Sequence, residues 1–176
     1  FIQGASGTVL DIAAANEIEL TSTLIDVVGN LNVSGTVTAP NQPAFCVHAT
    51  ASTNFGPFSS FMINFNQERF DIGSNFASKI FTAPVTGKYQ LQYSLHLAQL
   101  DTAAAFYQVM LFTSNDNYIQ QYEFKDSQDV GAWTVTLSVC ADMDANDTAN
   151  VQIYQYHGGQ QTDVSGNSFF SGFLVA

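Results

Sequence analysis

The chain has 176 residues, of which 46% are hydrophobic, 13% aromatic and only 11% charged. Its formal net charge is −11, from 4 Lys and Arg against 15 Asp and Glu. Binding to nucleic acid or to an anionic membrane needs clustered cations, and the sequence contains no such cluster. No apolar run approaches the roughly 20 residues that a membrane-spanning helix needs, so we expect neither a nucleic-acid partner nor membrane insertion.

Residues 1–39 differ in texture from the rest of the chain, since they contain no aromatic residue after Phe1. Short runs of Leu, Ile and Val predict very short strands at residues 9–12, 18–20, 24–28 and 31–37. About 40 residues of this kind cannot bury a core alone. We therefore interpret them as a β-rich stem in which three copies wind around one axis; the alternative is a disordered linker.

Pro40 and Pro43 separate the two regions, and two prolines in a short polar run favour a hinge over residues 40–43. The chain also begins at Phe1 without Met or a signal-like segment. We therefore expect it to be part of a longer protein, with an upstream region that is not in this sequence.

Residues 44–176 read as a succession of strands. The turn residues at 114–117, 144–147 and 157–159 divide apolar stretches of strand length, and no helical period of useful length is present. The predicted strands are residues 44–49, 58–65, 79–82, 87–97, 106–113, 118–124, 133–142, 149–156 and 168–175. This pattern predicts an all-β, antiparallel jelly-roll sandwich.

Two of these strands, 106–113 and 168–175, carry apolar residues on both faces. A strand in a two-sheet sandwich needs only one buried face, so a second apolar face indicates a neighbouring subunit. We therefore predict that six aromatic residues form a subunit interface: Phe106, Tyr107, Phe112, Phe169, Phe170 and Phe173.

Four oxygen-bearing side chains lie close together in the turn that follows residue 141: Asp142, Asp144, Asn146 and Asp147. Calcium prefers such oxygen ligands, and a calcium site is one interpretation of the cluster. The turn lacks the glycine and the distal glutamate of an EF-hand loop, so an ordinary polar turn is the alternative. No other cofactor is predicted.

Catalytic patterns are weak in this sequence. His48, His96 and His157 are the only imidazoles, and no nucleophile motif or phosphate-binding loop accompanies them. A carboxylate pair for glycoside hydrolysis must be matched in space, and the candidates are Glu68, Asp71, Glu123 and Asp126. We predict that the protein is not an enzyme.

Only two cysteines occur, Cys46 and Cys140. A secreted disulfide scaffold would carry more, so we expect both as free thiols packed in the core, although one bridge between them is the alternative.

Spaced aromatic residues in the second region resemble the complement C1q globular-head family. The spacing is Phe65-x5-Asp71-x4-Phe76-x4-Phe81-x5-Gly87-x-Tyr89-x3-Tyr93, and residues 81–89 (FTAPVTGKY) are its most typical part. Residues 168–174 (SFFSGFL) are similar to the closing strand of that family, whereas Asn146 stands where its late turn has Gly. The resemblance implies a ten-stranded jelly roll and a tight homotrimer, and Gly172 in the last strand is consistent with an interface.

The first region resembles the stems of phage tail fibres, in particular at residues 29–37 (GNLNVSGTV). Animal relatives of the head usually follow collagen, which needs Gly at every third position, and that repeat is absent. The leading hypothesis is therefore a structural fibre of a virion, extracellular, linked to upstream fibre or virion proteins. The alternatives are a capsid or head decoration fibre without a receptor, and a secreted bacterial or animal adhesin or lectin.

In the leading hypothesis the trimeric knob binds a glycan or protein on the host surface. Loops on a rigid scaffold carry variable recognition, and three copies give avidity. We predict that the binding loops contain seven residues: Asn115, Asp116, Asn117, Tyr118, Tyr156, His157 and Gln160.

Overall fold

A computed structural model describes residues 18–22, 25–50, 55–125 and 128–176. The chain divides into two compact units, Phe1–Thr38 and Ala39–Ala176. No helix occurs among the described residues, and so no helix there is long and apolar enough to cross a membrane.

The described residues of the first unit form no strand in the single chain. The strands predicted at 18–20 and 31–37, and the described part of 24–28, are therefore absent; residues 9–12 lie outside the described part. Leu31 is 72% exposed and Val28 94% exposed. A strand forms only where a neighbour accepts its hydrogen bonds, and the described residues of this segment have no such neighbour among residues 18–22, 25–50, 55–125 and 128–176.

The second unit contains twelve strands among its described residues. They are β1 (Ala44–Ala49), β2 (Ser60–Met62), β3 (Phe65–Ile72), β4 (Phe76–Ala77), β5 (Ile80–Thr82), β6 (Gly87–Leu100), β7 (Phe106–Thr113), β8 (Asn117–Tyr122), β9 (Val130–Met143), β10 (Thr148–Tyr156), β11 (Asp163–Val164) and β12 (Phe169–Leu174). The resemblance implied ten strands, and the larger number includes two strands, β4 and β11, of only two residues each.

All pairings are antiparallel and form two sheets. Sheet A has the order β11-β6-β12-β1-β3, with β9 also paired to β6, and sheet B has the order β4-β5-β10-β7-β8, with β2 also paired to β10. The sheets face each other across one core. The predicted jelly-roll sandwich is confirmed.

The aromatic spacing in the sequence becomes the centre of that core. Phe45 stacks on Phe81 with ring centroids 4.5 Å apart and meets the edge of Phe170 at 5.0 Å. The hydroxyl of Tyr89 donates to the carbonyl oxygen of Val85 at 2.8 Å. That bond closes the turn before the long strand β6, which explains why a tyrosine rather than a phenylalanine suits this position.

Asp71 has a comparable local role. One of its carboxylate oxygens accepts from the backbone N–H of Asn75 at 3.0 Å, and the other accepts from Phe76 N–H at 2.9 Å. The carboxylate thus satisfies backbone donors in the turn between β3 and β4. A residue with this duty is not a free catalytic acid.

The strand predicted at residues 58–65 is wrong in its extent. Phe58 has a left-handed backbone with φ of 63°, and a break after β2 separates it from β3, which begins at Phe65. Strand β3 was missed beyond Phe65 because its residues are polar and mostly exposed on both faces, as suits an edge strand.

Candidate binding surfaces of the sandwich

The two predicted binding loops lie at opposite ends of the sandwich. Strands β7 and β10 are antiparallel, with Phe106 opposite Tyr156 and Thr113 opposite Ala149. The loop after Thr113 and the loop after Tyr156 are therefore separated by the length of β7, roughly 24 Å at 3.4 Å per residue. The seven residues predicted for receptor binding therefore do not all lie at one end of the sandwich, and their role in binding stays a prediction.

We call one end the base, because the chain enters the sandwich there and also ends there. The N–H of Leu174 donates to Pro43 O at 3.0 Å, and the N–H of Lys88 donates to Ala176 O at 2.7 Å. The loop of residues 114–117 belongs to the base, since Asn115 Nδ2 donates to Asp142 O at 3.0 Å. Of the residues predicted for binding, Asn115, Asp116, Asn117 and Tyr118 therefore lie at or next to the base, and Tyr118 packs against the core.

The acidic turn is also at the base, and its side chains are directed to different partners. Asp142 pairs with Lys88 at 2.6 Å on the surface. Asp147 Oδ2 accepts from Asp144 N–H and from Asn115 Nδ2, both at 2.8 Å. No group of three or more His, Cys, Asp or Glu suited to a metal ion occurs within the described ranges. The contacts account for a polar turn, and calcium binding there stays a prediction.

The backbone angle of Asn146 explains why this turn can have Asn where the C1q-like pattern has Gly. Its φ is 76°, in the left-handed region that Gly adopts without strain. Asn tolerates this region better than most other residues, so it replaces Gly here at low cost.

The opposite end, which we call the apex, carries an exposed aromatic cluster. It consists of Phe58, Phe106, Tyr154, Tyr156 and His157. Tyr156 is central: it stacks on Phe106 at 5.0 Å and meets Phe58 edge-on at 5.6 Å and His157 edge-on at 4.2 Å. Phe58 is 57% exposed and Tyr156 is 37% exposed. The cluster thus offers ring faces and edges to solvent.

Buried polar groups hold the apical loop in place. Gln155 is fully buried, and its Nε2 donates to the carbonyl oxygens of His157 at 2.8 Å and Gly159 at 2.9 Å. The carboxylate of Asp101, also buried, accepts from the backbone N–H of Gly159 and from that of Ala103. The loop is therefore fixed by the interior rather than free to move.

Gly158 is required for that arrangement. Its φ is 79°, and a Cβ on it would collide with the Asp101 carboxylate and come within 2.9 Å of Ala104 N. Tyr107 also stabilises the residues that hold this loop. Its hydroxyl lies 2.8 Å from Thr162 Oγ1 and accepts from Asp101 N–H at 2.9 Å. Burial raises the pKa of Tyr107, so it stays a neutral hydrogen-bonding group.

Two aromatic residues of the cluster have strained backbones. Phe58 has φ of 63° and His157 has φ of 66°, in the left-handed region that few residues other than glycine adopt. Such strain costs on the order of 1–3 kcal/mol per residue and concentrates at functional sites. The sequence predicted Tyr156, His157 and Gln160 as binding residues, but not Phe58 or the role of Phe106, because Phe58, before β2, and Phe106, on β7, are distant from Tyr156 in the sequence.

The six predicted interface residues do not share one surface. Phe169 and Phe173 lie on the outer face of sheet A, whereas Phe106 and Phe112 lie on the outer face of sheet B. Tyr107 and Phe170 are only 1% and 0% exposed in the single chain, because they fill the core between the sheets. The prediction is wrong for these two, since a second chain cannot reach them.

Gly172 also serves the core and not an interface. A Cβ at this position would lie 2.6 Å from Leu91 Cδ2 and 2.9 Å from Phe45 Cε1. The glycine lets β12 approach these two side chains inside the same chain.

The outer face of sheet A is nevertheless apolar. Phe70 is 49% exposed and Phe173 is 50% exposed, and with Cys46, His48 and Phe169 they border a shallow cavity of about 440 Å³. We call this surface the apolar face. A second exposed apolar surface, the edge patch, lies where Phe124, which follows β8, packs against Trp133 of β9. The two rings meet edge-on at 5.4 Å, and Trp133 is 46% exposed.

Both cysteines are free. Cys46 is on β1 and Cys140 is on β9, and the order β9-β6-β12-β1 separates them by three strand spacings, roughly 14 Å. A disulfide within the chain is therefore impossible without rearrangement. Cys46 is half-buried, which raises the pKa of its thiol, whereas Cys140 is exposed, so the prediction of a core position is wrong for Cys140.

The candidate catalytic carboxylates are not brought together. Glu68 and Asp71 are on β3 at one edge of the sandwich, whereas Glu123 follows β8 at the other edge. Glu123 pairs with Lys125 at 2.7 Å, and that contact lowers the pKa of its carboxyl. Asp126 lies outside the described residues.

Taken together, two antiparallel sheets around one aromatic core, with loops gathered at two ends, define a jelly-roll domain of the kind used for recognition. The C1q domain model matches residues 44–175, and the chain belongs to the C1q domain family. Domains of this family are generally recognition domains without enzymatic activity and are usually extracellular.

Comparison with solved structures supports the same fold. The chain is similar to the globular domain of zebrafish complement 1qA protein, with a TM-score of 0.56 and 15% sequence identity over 77% of this chain and 98% of the zebrafish chain. A comparison with curated proteins found no match.

Proposed function

We propose that this protein is a homotrimeric fibre component of a virion, and that the apex of its C1q-like head binds a glycan or a protein on a host surface. The apical aromatic cluster carries this proposal. It is exposed, its loop is fixed by buried hydrogen bonds, and two of its residues have a strained backbone. A preorganised aromatic surface binds with little loss of conformational entropy.

The trimer is supported by two apolar surfaces that differ from each other. The apolar face around Phe70 and Phe173 and the edge patch around Trp133 lie on different strands. A two-fold dimer repeats one surface, whereas a ring joins two different surfaces head to tail. Packing the edge patch of one copy against the apolar face of the next would remove both apolar surfaces from water.

The virion assignment rests on the first unit. Its described apolar side chains are exposed, and burial against two further copies would remove that surface from water. The resemblance of residues 29–37 to phage fibre stems, without a collagen repeat, favours a viral fibre over a complement-like protein. A decoration fibre without a receptor, and a secreted bacterial or animal adhesin or lectin, are the alternatives.

The oligomeric state tests the interface. Light scattering should give three times 19.1 kDa for the chain. The variant Phe173→Glu should be monomeric, because it places a charge on the apolar face. Phe112→Glu, on the outer face of sheet B, is the matched control and should remain trimeric; a monomeric wild type, or dissociation of the control alone, contradicts the proposal.

Binding to cells tests the receptor role. Labelled protein is incubated with a panel of bacterial cells and their isolated envelopes, and the bound fraction is measured. We expect Tyr156→Ala to reduce binding at least tenfold, whereas Asn117→Ala, at the base, leaves it unchanged. If no envelope binds the wild-type protein, the receptor role is wrong and the decoration fibre is favoured.

A further inference from the structure

A second cavity lies at the edge of the sandwich where β3 and β4 meet, away from the apex and the base. Its volume is about 250 Å³. Val47, Phe65 and Phe76 supply its apolar walls, and these three belong to three different strands. The cleft has room for about one sugar ring rather than for a drug-sized molecule.

The turn that borders this cleft is built from unusual residues. β4 and β5 form a hairpin with Ala77 opposite Ile80, so that Ser78 and Lys79 are its two loop residues. Their φ angles are 51° and 73°. A hairpin turn with two left-handed residues strongly prefers Asn and Gly. A lysine at the second position is strained, which indicates that its side chain serves a purpose that glycine cannot.

The charge of Lys79 is not used within the described structure. The chain has only four Lys and Arg. Lys88 pairs with Asp142 and Lys125 pairs with Glu123, and Arg69 is exposed. Lys79 lines the cleft, is half-buried and makes no ion pair with any described residue. Glu68 lines the same cleft without forming an ion pair with Lys79. In a protein of net charge −11, a half-buried cation that makes no ion pair with a described residue is a natural position for an external anion.

The polar groups around the cleft indicate which class of anion it can bind. Asn64, Asn66 and Ser78 offer amides and a hydroxyl, and Glu68 offers a carboxylate that accepts hydrogen bonds. A ligand with one carboxylate and several hydroxyls satisfies all of them. The carboxylate of such a ligand would pair with Lys79, and its hydroxyls would donate to Glu68 and exchange hydrogen bonds with the amides. An acidic peptide would instead bring further negative charge towards Glu68.

We propose that this edge cleft binds a carboxylate-bearing sugar, of the hexuronic acid type, as a single residue of a polysaccharide. The site is separate from the apical cluster, and all of its lining residues belong to one chain. It therefore adds a second sugar-recognition surface to each head.

Ligand-observed NMR and calorimetry on the full chain test the proposal, with glucuronic acid and glucose as probes. Glucuronic acid should bind at least tenfold more tightly than glucose. Lys79→Gln should abolish that difference. Lys125→Gln removes the same charge elsewhere and should leave it unchanged, which separates a specific contact from an effect of net charge.

Lys79→Gly separates binding from folding. Because glycine relieves the strained turn, its melting temperature should be equal to or higher than that of the wild type, and yet uronate binding should be lost. Equal binding of glucuronic acid to wild type and Lys79→Gln, equal binding of glucose, or tighter binding of a triglutamate peptide each overturns the proposal. Tyr156→Ala should retain uronate binding, so failure at the apex and failure at the cleft are distinguishable.

Discussion

Similar apolar residues are exposed in the first unit and buried in the second unit, Ala39–Ala176, which we call the head. Leu31 and Val28 of the first unit are 72% and 94% exposed, whereas Leu91 and Leu95 of the head are both 0% exposed. The difference is not one of composition. Strand β6, which contains both head leucines, has hydrogen-bonded neighbours on its two sides and a second sheet across the core. The comparison teaches that apolar patterning produces burial only where a partner surface is present, and that the described residues of the first unit have no such surface among the described part of the chain.

The largest effect on the free energy of unfolding is expected when a core residue of the head, rather than an exposed residue of the first unit, is replaced by Ala. Phe170→Ala should destabilise the head by about 3–5 kcal/mol, since it removes a fully buried ring that contacts Phe45, Phe65 and Phe76. Leu31→Ala should change the free energy of unfolding of the head by less than about 0.5 kcal/mol. Chemical denaturation, followed by the fluorescence of Trp133, measures both; equal losses would remove the distinction between the two units.

A smaller effect is expected from adding one methyl group in each unit. Gly172→Ala should cost about 1–3 kcal/mol, because the new Cβ meets Leu91 and Phe45 inside the core. A Cβ on Gly35 has nothing within 4 Å, so Gly35→Ala should leave the head's melting temperature unchanged. A neutral Gly172→Ala would show that β12 can move away from β6.

Alkaline pH should destabilise the head and leave the first unit unaffected, because every tyrosine of the chain lies in the head. Burial raises the pKa of Tyr89, Tyr93, Tyr107 and Tyr122. Their stabilising contribution is complete below about pH 10, where unfolded tyrosines are neutral, and is lost as pH rises from there through the higher folded-state pKa.

The measurement is the melting temperature between pH 8 and pH 11. Tyr93→Phe loses a bond to Gln120 at 3.0 Å, so it starts from lower stability, but its decline above about pH 10 should be shallower. A wild-type melting temperature that does not fall in this range contradicts the burial argument.

The smallest effect should follow from removing residues 1–38. The head has its own core, so the free energy of unfolding of a monomeric head, measured in the Phe173→Glu background, should change by less than about 0.5 kcal/mol. A loss of more than 1 kcal/mol, on the same order-of-magnitude scale, would mean that the first unit stabilises the head directly.

Local pattern was sufficient for most strands of the head. The strands predicted at 44–49 and 106–113 match β1 and β7 in both bounds, because short apolar stretches between turn residues specify strands. The polar strand β3 escaped prediction, since an edge strand needs no apolar alternation. In the first unit the same reasoning predicted strands that its described residues do not form in the single chain.

Sequence by itself determined the fold class, the family resemblance and the residues of the apical loop, because each follows from short-range spacing. Only the tertiary structure decided which end each loop occupies, that Tyr107 and Phe170 lie inside the core, and that Cys46 and Cys140 are three strands apart. It also brought Phe58 to Tyr156 and set Lys79 beside Glu68 in one cleft. These are pairings between distant parts of the chain, and they depend on strand order and register, which local sequence does not encode.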